Sequence, residues 1–287
     1  MNKLELTNNI KKLSYELGFD LIGISSSNLD SSDTNKYFEK WLNSGYHASM
    51  LWLENRKEER KNIFKYFPNV KSVLSFGFNY YSNPKSSNTN YKISNYAWGD
   101  DYHIVMKEKL YEILSFIKSY NEDVAYRVCV DTSPIMEKNW GQNAGLGWIG
   151  KHTNLINKNL GSWFFLGEIL INLDLDYDEP FAEDLCGTCI KCIDACPTDA
   201  LSPYFLDSNK CLSYLTIEHR EEISYKYSNN LDGWIYGCDI CQEVCPWNIT
   251  FSKLSNEKRF FKRKDIEDMK NQDWERLSQE KYKKIFK

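Results

Sequence analysis

The 287-residue chain reads as an α+β protein in three parts: an α/β portion over residues 1–175, a cysteine-rich portion over 176–250, and a short basic helical tail over 251–287. Three observations predict this division. Helix-period and strand-like segments alternate through the N-terminal part without internal repeats. Eight of the nine cysteines lie between Cys186 and Cys245. The last stretch turns basic, with 12 Lys+Arg against 7 Asp+Glu from Phe251 onward, leaving 24 against 33 elsewhere out of totals of 36 and 40.

In chain order, Leu4, Leu6, Ile10, Leu13 and Leu17 recur close to helical spacing, and Gly18 supplies the stop. Asp20–Ile24 predicts a short strand, and Thr34–Asn43 a helix with Phe38, Trp41 and Leu42 on one face, ended by Gly45. Residues 70–81 are rich in β-branched and aromatic types and predict a central strand. The polar, proline-bearing segment 82–90 reads as a loop. Tyr102–Tyr120 returns to the 3.6-residue period through Val105, Leu110, Ile113, Leu114 and Ile117. Val124–Val130 predicts a buried strand containing Cys129 as a small core residue, Ile135–Ala144 a short helix, and Trp163–Ile171 another strand. The acidic run from Asp174 to Pro180 marks the boundary of the cysteine-rich part, because charge and proline interrupt both periods.

No run of apolar residues approaches the length of about eighteen needed to cross a membrane, and the N-terminus lacks the basic-then-apolar pattern of a secretion signal. Nine cysteines in such a chain point to metal ligation in a reducing cytoplasm rather than to disulfides. The basic tail, interleaved with Phe260, Phe261, Trp274, Tyr282 and Phe286, fits either phosphate contacts with a nucleic acid or a pair of solvated amphipathic helices.

Cys186, Cys189, Cys192 and Cys196-Pro197 follow the C-x2-C-x2-C-x3-C-P spacing in which three thiolates hold one iron–sulfur cluster and the fourth crosses to a second. The second run, Cys238, Cys241 and Cys245-Pro246, has one closely spaced cysteine fewer than a two-cluster ferredoxin. The crossing rule assigns Cys186, Cys189, Cys192 and Cys245 to the first 4Fe-4S cluster. It assigns Cys196, Cys211, Cys238 and Cys241 to the second, Cys211 being the one cysteine available nearby. Paired C-x2-C units also make zinc sites; the third cysteine and the repeated Cys-Pro ending favour iron–sulfur.

Gly145, Gly147 and Gly150 match G-x-G-x-x-G, but that fingerprint needs a strand before it and a helix after it. Here a helical segment precedes, and Thr153–Ile156 reads as extended, so the glycines serve a turn or a close backbone approach. Asp131 leaves a buried strand and enters Asp-Thr-Ser-Pro. It can cap the helix beginning near Pro134, or, if partial burial raises its pKa, donate a proton into a pocket. His47, His103, His152 and His219 are dispersed, without metal-ligand spacing, and read as structural or pocket-lining residues. Clusters relay electrons and leave the harder chemistry to a cofactor or substrate site, which the large N-terminal part would hold.

Across most of residues 1–250 the chain resembles the epoxyqueuosine reductases. The resemblance rests on Gly45-Tyr-His47 with Met50–Leu53 and Arg60, on Tyr96–His103, on Val130–Lys138, on Ala144–Lys151, on Gly161–Glu168, and on Cys211–Glu218 between the cysteine runs. It implies reduction of epoxyqueuosine to queuosine at the wobble position of tRNA, with electrons passing through two 4Fe-4S clusters to cobalamin. It places Asp131 as proton donor, and Arg60, Ala97, Asp131, Leu155, Leu166 and Ser213 around cobalamin. Lys138 falls where a tRNA contact is expected. The relatives often carry a cysteine near Ala97, which this chain lacks. Some also carry C-terminal helical repeats; this chain is too short for a full set, and the basic tail stands as a substitute. An electron donor of flavodoxin or ferredoxin type and a monomeric state are further expectations. Two other classes compete. A reductive dehalogenase acting on a small molecule is disfavoured by the missing export signal and the match around Asp131. A pure electron-transfer protein is disfavoured by the long segment ahead of Cys186, which a relay does not need.

Overall fold

The structure is a computed structural model that describes residues 2–29, 31–82 and 89–286. Most of the loop expected at 82–90 lies outside these residues. Four strands, β1 (Leu21–Ser26), β2 (Ser72–Asn79), β3 (Tyr126–Cys129) and β4 (Phe164–Ile171), form one sheet in the order β1-β2-β4-β3. The two central strands are near-continuous apolar runs, and β2 is buried along its whole length, because both faces of the sheet are covered.

Every neighbouring pair in the sheet is antiparallel. The α+β class therefore stands, but the α/β expectation for residues 1–175 is corrected. Alternation of helical and strand periods does not encode strand direction. Direction follows from how each connection returns, and here the segments between strands bring the chain back reversed.

Side-chain alternation sorts the sheet into two faces. Ile24, Leu74, Phe76, Phe78, Phe165, Ile169 and Ile171 share a core with helix α1 (Lys3–Glu16) and the later helix Tyr102–Tyr120. Helix α2 (Ser32–Asn43) lies outside that core, with Leu42 as its buried residue. Tyr102–Tyr120 is α3; its buried stripe Val105, Met106, Leu110, Ile113, Leu114 and Ile117 is the set that periodicity selects, and the Asp101 carboxylate caps it by accepting from the His103 N–H at 2.9 Å. The other face is covered by α4 (Glu137–Asn143), which approaches so closely that a Cβ on Gly23 would stand 1.9 Å from the Ala144 carbonyl oxygen.

The cysteine-rich part is tied to this scaffold by short backbone pairings. Trp234–Tyr236 pairs in parallel with Lys92–Ile93. The Asp239 carboxylate accepts hydrogen bonds from the Ser94 hydroxyl, from Asn95 N at 2.7 Å and from Asn95 Nδ2 at 3.2 Å. In the tail, Ile266, Met269, Trp274 and Ile285 fold onto Ile93 and Trp98, and Phe260 enters the main core edge-on to Phe78 and Phe165, 5.0 Å from each ring centroid. Most of the aromatics interleaved in the basic tail are therefore packing residues; Phe261 remains exposed.

Gly23 gives the first test. A Gly23→Ala variant must push α4 off the sheet, at a cost of about 1–3 kcal/mol, and its thermal unfolding midpoint falls below that of the parent chain. An unchanged midpoint would show that α4 is not held at this distance.

Candidate active site

The strand end of β3 delivers Asp131 to the mouth of an open cavity with about 1340 Å³ of empty space. Asp131 adopts φ 58°, a left-handed conformation uncommon for a residue with a Cβ. Its N–H donates to Glu137 Oε1 at 2.6 Å, so the first turn of α4 holds the strained residue in place. Met136 occupies the cap position of α4; Asp131 is not the helix cap.

The Asp131 side chain is walled by neighbours yet 61% exposed to the cavity. His103, on the first turn of α3, stands between two carboxylates, with Nδ1 2.7 Å from Asp101 Oδ1 and Nε2 3.5 Å from Asp131 Oδ2. The Tyr102 ring stacks on both His103 and Phe165, at 4.0 and 4.2 Å, and so fixes the imidazole over the cavity. The hydrogen bond to Asp131 raises the His103 pKa against the opposing effect of burial. The same hydrogen bond lowers that of Asp131, outweighing desolvation. The expectation that burial raises the Asp131 pKa is thus corrected. His103 and Asp131 act as a couple whose shared proton favours the imidazole.

The same cavity is lined by Cys196, Cys211, Cys238 and Cys241, while Cys186, Cys189, Cys192 and Cys245 line a separate cavity with Trp247 and Phe251. Each run thus places its last thiol in the cavity of the other. All eight cysteines are free of disulfides. Among the described residues, no three His, Cys, Asp or Glu side chains are arranged to hold a single metal ion. Burial and neighbouring thiols push Cys192 up to about 11 and Cys238 to about 12. These groups become thiolates at neutral pH only when a cation offsets that penalty, as cluster iron does. Donors already point at the sulfurs: Ala200 N lies 3.3 Å from Cys196 Sγ, and Trp148 Nε1 lies 3.5 Å from Cys186 Sγ. Such hydrogen bonds tune a cluster's potential.

Of the other expected site residues, Leu166, Ser213 and Lys138 line the cavity with Asp131. Lys138 Nζ donates to Thr153 O at 2.9 Å and Asn154 Oδ1 at 3.2 Å, bracing the turn before strand Leu155–Ile156. Leu155 is buried behind the wall among Leu146, Leu160 and Leu166. Arg60 sits behind the Asp131 loop and donates from Nη1 to Ile135 O at 3.3 Å. Ala97 ends a short 3-10 turn that packs with Trp98 and the tail, away from this lining. The Gly145–Gly150 segment leads into a β-hairpin, Trp148–Ile149 with Leu155–Ile156, and not into a helix; a Cβ on Gly147 would meet Ile156 O at 1.9 Å.

Comparison with known proteins places this geometry. Residues 60–132 match a family profile described as epoxyqueuosine reductase QueG, DUF1730, and residues 185–248 match a 4Fe-4S double cluster binding domain. An epoxyqueuosine reductase of Leadbetterella byssophila is 42% identical over 278 residues, covering 97% of this chain and 90% of that protein. The chain belongs to the epoxyqueuosine reductase family. A second relative, from Cyclobacterium marinum, is 44% identical over 281 residues, covering 97% and 89%. Among solved structures, an epoxyqueuosine reductase with a tRNA-Tyr epoxyqueuosine-modified stem loop superposes with TM-score 0.87 at 26% identity, covering 99% of this chain and 76% of that one. The Bacillus subtilis enzyme, solved with its catalytic aspartate loop swung out of the active site, gives TM-score 0.86 at 25% identity, covering 99% and 76%. A catabolic reductive dehalogenase matches with TM-score 0.52 at 19% identity, covering 88% and 33%, and shares the fold alone.

The chain is therefore an oxidoreductase of this family carrying a 4Fe-4S double cluster domain. Among the described residues, no helix is long and apolar enough to cross a membrane. Sequence reasoning left His103 among dispersed histidines, because only the fold brings the start of α3 to the end of β3. It also passed over Glu137 and Glu168, which line up behind Asp131.

His103 supplies the second test. Replacing it with Gln removes the largest influence lowering the Asp131 pKa, so the carboxyl midpoint rises in an NMR pH titration. An unchanged midpoint would exclude the couple.

Proposed function

We propose that this chain reduces epoxyqueuosine to queuosine at the wobble position of tRNA, in the cytoplasm, with cobalamin bound in the cavity that Asp131 shares with Cys196, Cys211, Cys238 and Cys241. The carrying observation is that shared cavity: Asp131, backed by His103, lines the same space as four thiols. Removing the epoxide oxygen breaks two C–O bonds, forms the ring alkene and releases water, which consumes two electrons and two protons. Cobalamin, when bound, would supply a strongly reducing cobalt centre. Its fit is supported by an open, mostly apolar space walled by Phe164, Phe165, Leu166 and Leu201 with a few convergent polar groups. Relatives that act on the modified nucleoside support the substrate.

In this reading Cys186, Cys189, Cys192 and Cys245 ligate one cluster and Cys196, Cys211, Cys238 and Cys241 the other, so the second cluster borders the cavity and the first receives electrons from a flavodoxin- or ferredoxin-type donor. Asp131 relays a proton from the His103 imidazolium to the departing oxygen, which avoids expelling a bare alkoxide. Leu166 and Ser213 border the cofactor, with Leu155 behind Leu166, and Arg60 and Ala97 act from outside the lining. Lys138, on the cavity wall, contacts the tRNA. The wobble nucleotide enters splayed from its loop, as single-stranded RNA recognition permits.

The test is anaerobic turnover of an epoxyqueuosine-bearing tRNA stem loop by cluster-loaded protein, with and without cobalamin, read by nucleoside mass. Loss of one oxygen only with cobalamin is expected; no conversion by fully loaded protein overturns the assignment. An Asp131→Ala variant retains clusters and cobalamin, while its kcat falls by about 100-fold or more, the scale of removing a positioned acid. Undiminished turnover would remove Asp131 from the reaction.

A further inference from the structure

Behind Asp131, on the α4 face of the sheet, a fully buried glutamate, Glu168, neighbours Glu137, which borders the cavity. Glu168 stands in the middle of the sheet, in register with Ser75 on one side and Cys129 on the other, and is fully buried. A glutamate at such a position is costly unless its oxygens are satisfied. Neither Glu168 Oε1 nor Oε2 has a hydrogen-bond donor among the described residues. The neighbouring acid that acts on Glu168 is Glu137, on the first turn of α4, also a carboxylate. Two ionised carboxylates cannot share this space, whereas one proton between them turns the contact into an O–H···O⁻ hydrogen bond and satisfies a buried oxygen.

Glu137 has a second engagement. Its Oε1 accepts the Asp131 N–H at 2.6 Å and holds that residue at φ 58°. The chain of contacts thus runs from the sheet through Glu168 and Glu137 to the backbone of the catalytic loop. The charges that bear on Glu137 are Asp131, Lys138 and Arg60; on the sheet side Glu168 faces the Cys129 thiol.

We propose that Glu137 and Glu168 share a single proton and serve as positioning residues, with the proton-linked pair holding the Asp131 loop so that its carboxyl faces the cavity. Glu168 donates, and Glu137 accepts and in turn receives the Asp131 N–H. Burial together with the neighbouring carboxylates raises both pKa values, consistent with a retained proton. The inference rests on the reading of Asp131 as proton donor for its effect on turnover, but the position of the loop can be read independently.

The experiment uses cluster-loaded protein and compares Glu168→Gln, Glu168→Ala, Glu137→Gln and Glu137→Ala, reading hydrogen exchange of the 130–136 segment alongside kcat and KM. A glutamine at either position keeps a hydrogen bond between the two side chains without the shared proton, and in Glu137→Gln the new amide oxygen still accepts the Asp131 N–H. Both glutamine variants should keep the segment protected and lose less than about threefold in kcat. Both alanine variants should expose it and lose about 100-fold in kcat with KM little changed, the scale of a misplacement near 1 Å. Glutamine variants that fall as far as the alanine variants, or alanine variants with parental exchange, would overturn the proposal. If Glu168→Ala does not accumulate with its clusters, Glu137→Ala and the two glutamine variants decide. Undiminished turnover in Asp131→Ala, with the glutamine and alanine variants of the pair behaving as expected in hydrogen exchange, would count against the proton-donor reading instead, leaving the pair's role intact.

Discussion

Each cysteine run surrenders its last thiol to the other run's cavity, and the rest of the molecule depends on that exchange. Cys196 joins Cys238 and Cys241 in a cavity that Cys211 also lines, and Cys245 joins Cys186, Cys189 and Cys192. The two runs therefore have to be held side by side by something other than themselves. The parallel pairing of Trp234–Tyr236 with Lys92–Ile93, and the Asp239 carboxylate on Ser94 and Asn95, anchor the second run to the N-terminal part. That anchoring puts Cys238 and Cys241 opposite the end of β3, where Asp131 waits.

The reactive end of the sheet is built against local preference. A central strand carries a buried glutamate, and a β-branched neighbour is followed by an aspartate at positive φ. Both features cost stability, so each needs a compensating contact. The first turn of α4 supplies one through Glu137, and Tyr102 and His103 at the start of α3 supply another. Gly23 lets α4 come down onto the sheet, and without that approach Glu137 could not reach the loop.

Much of this was legible in the sequence, for physical reasons. Helix α3 and the central strands announce themselves because their apolar residues repeat with the period of the structure, and Cys129 is buried as its apolar setting suggests. The grouping of the cysteines is a matter of spacing, because ligands around a cubane are constrained by short loops. Strand direction was not legible, since it depends on return paths rather than on periodicity. The His103–Asp131 couple was not legible either, as 28 residues separate its members. The role of the basic tail was not legible in its charge, because Phe260 and Trp274, which fill a core, look the same in sequence as aromatics on a solvated helix.

The measurement that bears most directly on the exchange of thiols is the iron content and reduced-state EPR of a Cys211→Ala variant. The account predicts that iron falls from about eight atoms per chain toward about four. The signal of the cluster at Cys186, Cys189, Cys192 and Cys245 should persist while the other is lost. A variant that keeps both signals and its full iron would show that Cys211 is no ligand, and the crossing would fall with it.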